Sequence, residues 1–346
     1  MAWDGAWLRE SNSFDLTYGS ISSKQFLIRN RLKISKRLTD RLSFHFHWFE
    51  DRDFEQDRRA LPIELKYAVS DHLAVSAFGS TSLYKAENDI GASLFWTPTA
   101  DWEVRASGVW GDFQRKVRTL KTDSWQEQAQ GWTLSATRLP PTVPDFQYAE
   151  IHYEPRSRRA DRGLPVRDLA YRSLFFEGLS GPWGWRILYE DALDCDYGND
   201  ASAGTGTNSV TQRRRALHQF EYSLHIGDGH SLTPGLNAFY REVRGDDELR
   251  IYRELLPTLW LHTPMRDKAW GRVRWDYGYD ATIYELRHTR QQGHETTDRD
   301  LHHRLNVKPV MQFKQGGELS LLFTIDLDRP GAEPWEGGAA QFRTEF

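Results

Sequence analysis

Along almost the whole chain apolar and polar residues alternate with period two, and that regularity restricts it to strands with one apolar face and one polar face. In Arg41–Phe49, for example, Leu42, Phe44, Phe46 and Trp48 fall on one face while Ser43, His45 and His47 fall on the other. Leu61, Ile63, Leu65, Tyr67 and Val69 repeat the pattern, as do Trp102/Val104/Ala106/Trp110, Trp183/Trp185/Ile187/Tyr189, Val273/Trp275/Tyr277/Tyr279 and Leu319/Leu321/Phe323/Ile325/Leu327. No segment carries a helical period, so the expected class is all-β.

The connections alternate in kind. Short turn-like ones include Leu38–Arg41, Val69–His72, Thr97–Asp101, Pro140–Pro144, Ser180–Trp183, Gly227–His230, Thr263–Asp267 and Lys314–Gly317. Longer, charged ones include Glu50–Arg59, Asp112–Ser124, Glu154–Asp168, Asp191–Arg213, Arg244–Glu248, Leu286–Asp300 and Asp328–Gly337. Turns then gather at one end of the sheet and loops at the other, the arrangement of a transmembrane up-and-down antiparallel β-barrel with short periplasmic turns and longer charged extracellular loops. The spacing predicts about 18 strands, or 16 if the strand near Phe14–Tyr18 or Asp168–Glu177 fails, each near the 9–11 residues a bilayer requires. Residues 13–346 read as one barrel, and 1–12, with Trp3 and Trp7, as a periplasmic tail, a plug or a stub of an upstream domain.

A soluble sandwich also alternates, so other features must separate the two. Charge-free stretches such as Leu73–Tyr84 fall short of the roughly 20 residues of a spanning helix, which leaves strands as the only way to cross. Trp48, Trp96, Trp102, Trp110, Trp183, Trp185 and Trp275 stand near strand ends, where interfacial girdles form. The near-balance of 45 basic and 49 acidic residues gives no footprint for nucleic acid. The single cysteine, Cys195, allows no internal disulfide, and Met1-Ala-Trp-Asp-Gly shows no secretory signal, which is expected to have been removed together with, or as part of, upstream sequence.

The chain ends Gln341-Phe-Arg-Thr-Glu-Phe346. This alternating strand with a terminal aromatic resembles the carboxy-terminal signature of Gram-negative outer-membrane β-barrel proteins. The resemblance implies that Phe342 and Phe346 form a signal read by the barrel-assembly machinery and that the chain resides in the bacterial outer membrane. In architecture it is also similar to the barrel domains that end exopolysaccharide exporters of the Pel, poly-N-acetylglucosamine and cellulose systems, which implies periplasmic export components as partners.

With the apolar faces turned outward, the lumen receives Arg29, Arg31, Lys33, Glu64, Lys66, Glu103, Arg105, Glu150, Arg186, Glu190, Glu221, Arg241, Glu254, Arg272, Arg274, Asp276, Asp280, Arg304, Lys308 and Asp326. Phe49, Phe95 and Phe239 fall on the same face, where rings stack on sugars or fill space. A barrel of this size encloses an aqueous channel, and walls of both signs pass polar solutes without strong ion selectivity. The expectation is a pore for a polar substrate, preferably an exported exopolysaccharide. A general diffusion porin, a plugged structural or binding barrel, and a soluble β protein are the alternatives.

No catalytic constellation, cofactor site or metal site is expected. His45 and His47 share a face without a third ligand, His302 and His303 point to opposite faces, and His230-Ser231 sits in a turn. Asp191–Asp200 loosely follows calcium-loop spacing but lacks the closing Glu. Arg156, Arg158, Arg159, Arg162 and Arg167 form an Arg-rich loop that could pair with the phosphates of outer-membrane lipid and lipopolysaccharide.

Overall fold

In a computed structural model the strands close into one antiparallel sheet. It describes residues 12–20, 26–52, 57–81, 88–111, 117–119, 122–127, 130–140, 145–161, 164–197, 209–245, 248–290, 294–328 and 335–345. The first strands are β1 (Ser13–Ser20), β2 (Phe26–Arg37), β3 (Leu42–Arg52), β4 (Asp57–Ser70), β5 (Leu73–Thr81), β6 (Asn88–Thr99) and β7 (Trp102–Trp110). Next come β8 (Val117–Thr119), β9 (Thr122–Glu127), β10 (Gln130–Arg138), β11 (Phe146–Asp161), β12 (Leu164–Ser180), β13 (Trp183–Asp196), β14 (Ser209–Tyr222) and β15 (Leu224–Gly227). The remainder are β16 (His230–Arg244), β17 (Glu248–His262), β18 (Arg266–Lys268), β19 (Gly271–Arg290), β20 (Glu295–Phe313), β21 (Glu318–Asp326) and β22 (Trp335–Glu345).

Neighbours in sequence pair in space, and the wall closes where β22 meets β1, with Phe342 opposite Leu16 and Glu345 opposite Ser13. β15 prolongs β14, β18 prolongs β17, and the β8–β9 hairpin extends the wall beside β11, which leaves 18 staves. Closure removes the free edges that a bilayer does not tolerate. The short ends turn where the backbone can enter the left-handed region: Gly227, Asp228 and Gly229 have φ of 99°, 48° and 75°, and Gly316 and Gly317 have 91° and 95°.

Direct cross-strand partners share a face. Leu65, Ala77, Ala92, Gly108 and Trp132 stand on the same face as the row Val75, Leu94, Ala106, Leu134, Ile151, Leu174 and Tyr189, which runs across seven strands. That face is the exterior: Leu134 and Ile151 are 51% and 53% exposed. Among the described residues the buried set is inverted relative to a soluble core, with five apolar members, such as Phe95, Phe146 and Val310, against fifteen polar or charged ones. Side chains crowd inward on the concave face, and most of these polar residues are inside.

Aromatic rings mark the edges of the apolar band. Trp96, Trp102, Trp183 and Trp275 lie exposed toward the turn end, and Trp110, Trp132, Tyr153 and Tyr189 toward the loop end. Trp102 and Trp110 bracket the nine residues of β7, which matches a span of about 9–11 residues. Some rings fold over a glycine directly across the strand pair. A Cβ on Gly178 would come within 2.3 Å of the Trp185 ring, and one on Gly278 within 2.8 Å of Trp260, an aromatic cover for bare backbone.

Several expected loops are strand. Glu154–Asp168 belongs almost entirely to β11 and β12, and Leu286–Asp300 to β19 and β20, which reach 20 and 19 residues. Above the bilayer neither face of a strand meets lipid, so its pattern turns polar on both faces while the backbone ladder continues. The turn expected at Thr263–Asp267 falls instead at Ala269–Trp270, because β18 continues the wall first. Asp191 and Asp194 lie in β13 on opposite faces, so these two carboxylates do not converge as a calcium loop requires; the Asp196 side chain and Asp200 lie outside the described residues. Residues 1–11 and the tip of the Asp191–Arg213 connection at 198–208 lie outside the described residues.

Candidate functional site

All twenty charged positions assigned to the lumen fall in register on the face opposite the exposed apolar rows. The side chains of Arg29 and Phe49, and the whole of Phe346, lie outside the described residues. Several of the others are held by partners on their own or a neighbouring strand. Glu64 Oε1 meets Arg105 Nη2 at 3.2 Å and accepts from Ser76 Oγ at 2.5 Å, while Arg105 also donates to Ser107 Oγ at 3.0 Å. Lys66 Nζ approaches Glu103 at 3.4 Å and stands 4.1 Å from the centre of the Phe95 ring. These groups make a small charged shelf over an aromatic floor.

Across the barrel the pattern repeats. Arg186 meets the buried Glu177 through Nη2 at 2.7 Å and donates from Nη1 to Gln219 Oε1 at 3.3 Å. Glu190 accepts from Tyr171 at 2.6 Å and from Arg215, which stands opposite Arg241. Tyr148 donates to Glu150 and Tyr252 to Glu254, each two residues along the same face. Glu221 faces Gly184 and Gly235. Arg304 donates to Thr282 Oγ1 at 2.7 Å and stands opposite Asp280 and Asp326. Arg272 donates to Gln312, which donates to Glu318.

Among the described inward charges the most deeply held is Asp276. Its Oδ1 lies 3.1 Å from both His262 Nδ1 and Arg274 Nε, and Lys308 is its cross-strand partner. Among the described residues neither Asp276 Oδ1 nor His262 Nδ1 makes a hydrogen bond, while Arg274 Nε donates to Asp276 Oδ2 at 3.3 Å. At the closing seam Asp15 accepts from Gln341 at 3.1 Å and from Arg343 at 3.2 Å, while Arg31 faces it from β2 and Lys33 stands two residues along. Phe342 sits outside this seam between Leu16 and Leu319.

Inward aromatics are more numerous than Phe95 and Phe239. In the turn half, Tyr148 packs on Phe175 with centroids 5.9 Å apart and Trp260 stacks on His262 at 6.4 Å. In the loop half, His152 meets Tyr171 at 5.7 Å, and Phe239, Tyr252, Tyr284 and His302 follow one another at 5.9, 6.1 and 5.8 Å. Counting parity from an assigned neighbour such as Glu254 would have placed Tyr252 inside, but an aromatic in an apolar-looking run does not declare its face.

His45 is held between Ser35 Oγ at 2.9 Å and Ser43 Oγ at 2.8 Å, which occupies both ring nitrogens. His303 points outward to Tyr279 at 2.6 Å, whereas His302 faces inward and meets Asp300 at 3.0 Å. The ligand atoms of His302, Asp326 and Asp328 come within 4.8 Å of one another, a grouping among the described residues that spacing in sequence did not reveal. His230 opens β16 at the turn end, away from the loop-side rim.

The Arg-rich segment lies above the band on the outer face. Arg156 and Arg158 both pair with Asp168, at 2.8 and 3.1 Å, and Tyr197 donates to the same carboxylate at 2.8 Å; the side chains of Arg159, Arg162 and Arg167 lie outside the described residues. Burial alone would raise the Asp168 carboxyl, but hydrogen bonds from Arg158, Tyr197 and Arg156 outweigh it and hold the group below the usual carboxylate range. A depressed pKa stabilises above the ordinary carboxylate value, and that stability is lost as pH falls through the depressed one. The β11–β12 extension is therefore expected to keep its amides protected at about pH 5 and to open only below the ordinary value of 3.8. Hydrogen-exchange mass spectrometry over a pH series checks this; Asp168→Asn should lower protection at neutral pH and abolish the acid step, and opening already at about pH 5 in the unaltered barrel would refute it.

No family model matches the chain and no curated protein matches it. Solved structures do. A loop-deletion form of OmpT, an outer-membrane protein of Vibrio cholerae, aligns at 10% identity over 96% of this chain and 98% of that one with a TM-score of 0.44. A bacterial polysaccharide outer-membrane secretin aligns at 7% identity over 97% and 99% with a TM-score of 0.41. OccK5 (OpdH) of Pseudomonas aeruginosa aligns at 12% identity over 97% and 96% with a TM-score of 0.39. The wall itself speaks more directly: its exposed exterior is apolar with an aromatic ring at each margin, and its backbone is paired all the way round. Lipid is the solvent that such an exterior fits, and the chain folds as a closed antiparallel β-barrel of 18 staves with a lipid-facing exterior.

Proposed function

We propose that the barrel is a pore for passive passage of a polar substrate across the outer membrane, and that its cargo is an exported polysaccharide. The observation that carries this reading is the set of inward rings, from Trp260 and Tyr148 in the turn half to Tyr252 and Tyr284 in the loop half, set among charges that already pair with one another. Aromatic rings suit sugar rings by stacking, while self-paired carboxylates and guanidiniums offer hydrogen bonds without a strong field of either sign. Every described element belongs to the wall, and a barrel of 18 staves is in the size range that leaves an aqueous channel.

Refolded barrel in a planar bilayer is expected to carry a steady current, and neutral oligosaccharides added on the turn side are expected to block it more strongly than simple polyols of equal size. Equal block by polyol and oligosaccharide would leave a general diffusion pore for small polar solutes. Absence of current from demonstrably inserted protein would mean a plugged lumen and overturn the pore.

A further inference from the structure

We propose that the outer face of β11–β16 binds a phosphorylated lipid of the loop-side leaflet, with its phosphate on Arg172 and Arg214 and its acyl chains in the groove beneath them. This does not depend on whether the lumen conducts. The groove has a volume of about 820 Å³ and is lined by Ile151, Leu174, Tyr189, Ala216 and Tyr240, which stand side by side in register on the exterior. One register step toward the loops, the same face reads Tyr153, Arg172, Asp191, Arg214 and Glu242. The change from apolar to charged falls at the loop-side aromatic margin, the depth at which lipid headgroups lie.

The charged row is built in two layers. Asp191 accepts from Arg172 Nη2 at 2.6 Å and Nε at 3.0 Å, and from Gln212 at 3.1 Å, while Arg214 Nε stands 3.7 Å away. The Asp191 side chain is 21% exposed and that of Arg172 is 68% exposed, so the carboxylate lies beneath and fixes the guanidinium, whose outer edge faces the headgroup layer. Glu242, buried, plays the same part for Arg244 at 3.4 Å and Arg214 at 4.0 Å. With Arg156 and Arg158 on Asp168, the described outward charges above the groove are five arginines against three carboxylates, a surplus of two positive charges. Two guanidiniums held on the two oxygens of one carboxylate present donors suited to the oxygens of a phosphate, and an apolar trough directly below them is continuous with the lipid-facing band. A soluble phosphate would gain nothing from that trough.

The test uses the whole barrel in detergent, with lipid binding read by native mass spectrometry. Lipid A, its dephosphorylated form and inorganic phosphate are the probes. The unaltered barrel is expected to retain lipid A, the double variant Arg172→Gln with Arg214→Gln to bind it about tenfold or more weakly, and the dephosphorylated lipid to bind the unaltered barrel with a similar loss. Inorganic phosphate should not displace the lipid. Equal retention of the two lipid forms, equal retention by both barrels, or displacement by inorganic phosphate would each overturn the proposal. The comparison of lipid forms needs no variant, so it stands even if the double variant fails to show heat-modifiable migration.

Discussion

Asp276→Ala is expected to lower the stability of the assembled barrel by about 3–5 kcal/mol. The carboxylate is 1% exposed and answers Arg274 and His262 at 3.1 Å, with Lys308 directly across the strand pair. Removing it takes the nearest carboxylate from Arg274 and Lys308 on a concave wall, and breaking a buried pair costs more than the pair itself contributes. The contrast is Asp40, paired with Arg37 in a turn where both side chains are open to water; solvent screens that pair, and Asp40→Ala should leave stability unchanged. Urea unfolding followed by the fraction of heat-modifiable protein measures both. A change for Asp276→Ala no larger than for Asp40→Ala would mean that water in the lumen solvates the inner wall well enough to make its pairing dispensable.

Tyr252→Ala combined with Tyr284→Ala is expected to weaken oligosaccharide block about thirtyfold while leaving the open current the same or slightly larger. Their rings stack with centroids 6.1 Å apart and lie between Phe239 and His302 on the inner face. Each ring lost removes a stacking surface of about 1 kcal/mol, and about 2 kcal/mol together corresponds to that factor. Block that persists at full strength, with the current and fold intact, would show that the rings fill space and would remove sugar stacking from the functional reading.

Period-two alternation with turns and charged loops in alternation was sufficient to give the class and the two faces, and it bounded the staves at about 18 or 16, of which closure decided 18. The reason is that lipid on one side and water on the other impose opposite chemistry on successive side chains, and a slip of one residue would invert every face. Arg105, Glu64 and Asp276 could be assigned to the lumen in this way because a charge at mid-strand has nowhere else to go. What the chain alone did not disclose begins where that contrast ends. Above the bilayer Glu154–Asp168 and Leu286–Asp300 are polar on both faces, so only the backbone ladder reveals them as strand. Partner choice was equally hidden: that Asp191 gathers Arg172 from β12 and Arg214 from β14, or that Tyr252 stands between Phe239 and Tyr284, depends on cross-strand register among segments tens of residues apart. Alternation sets which way a side chain points, and only closure of the sheet sets what it meets.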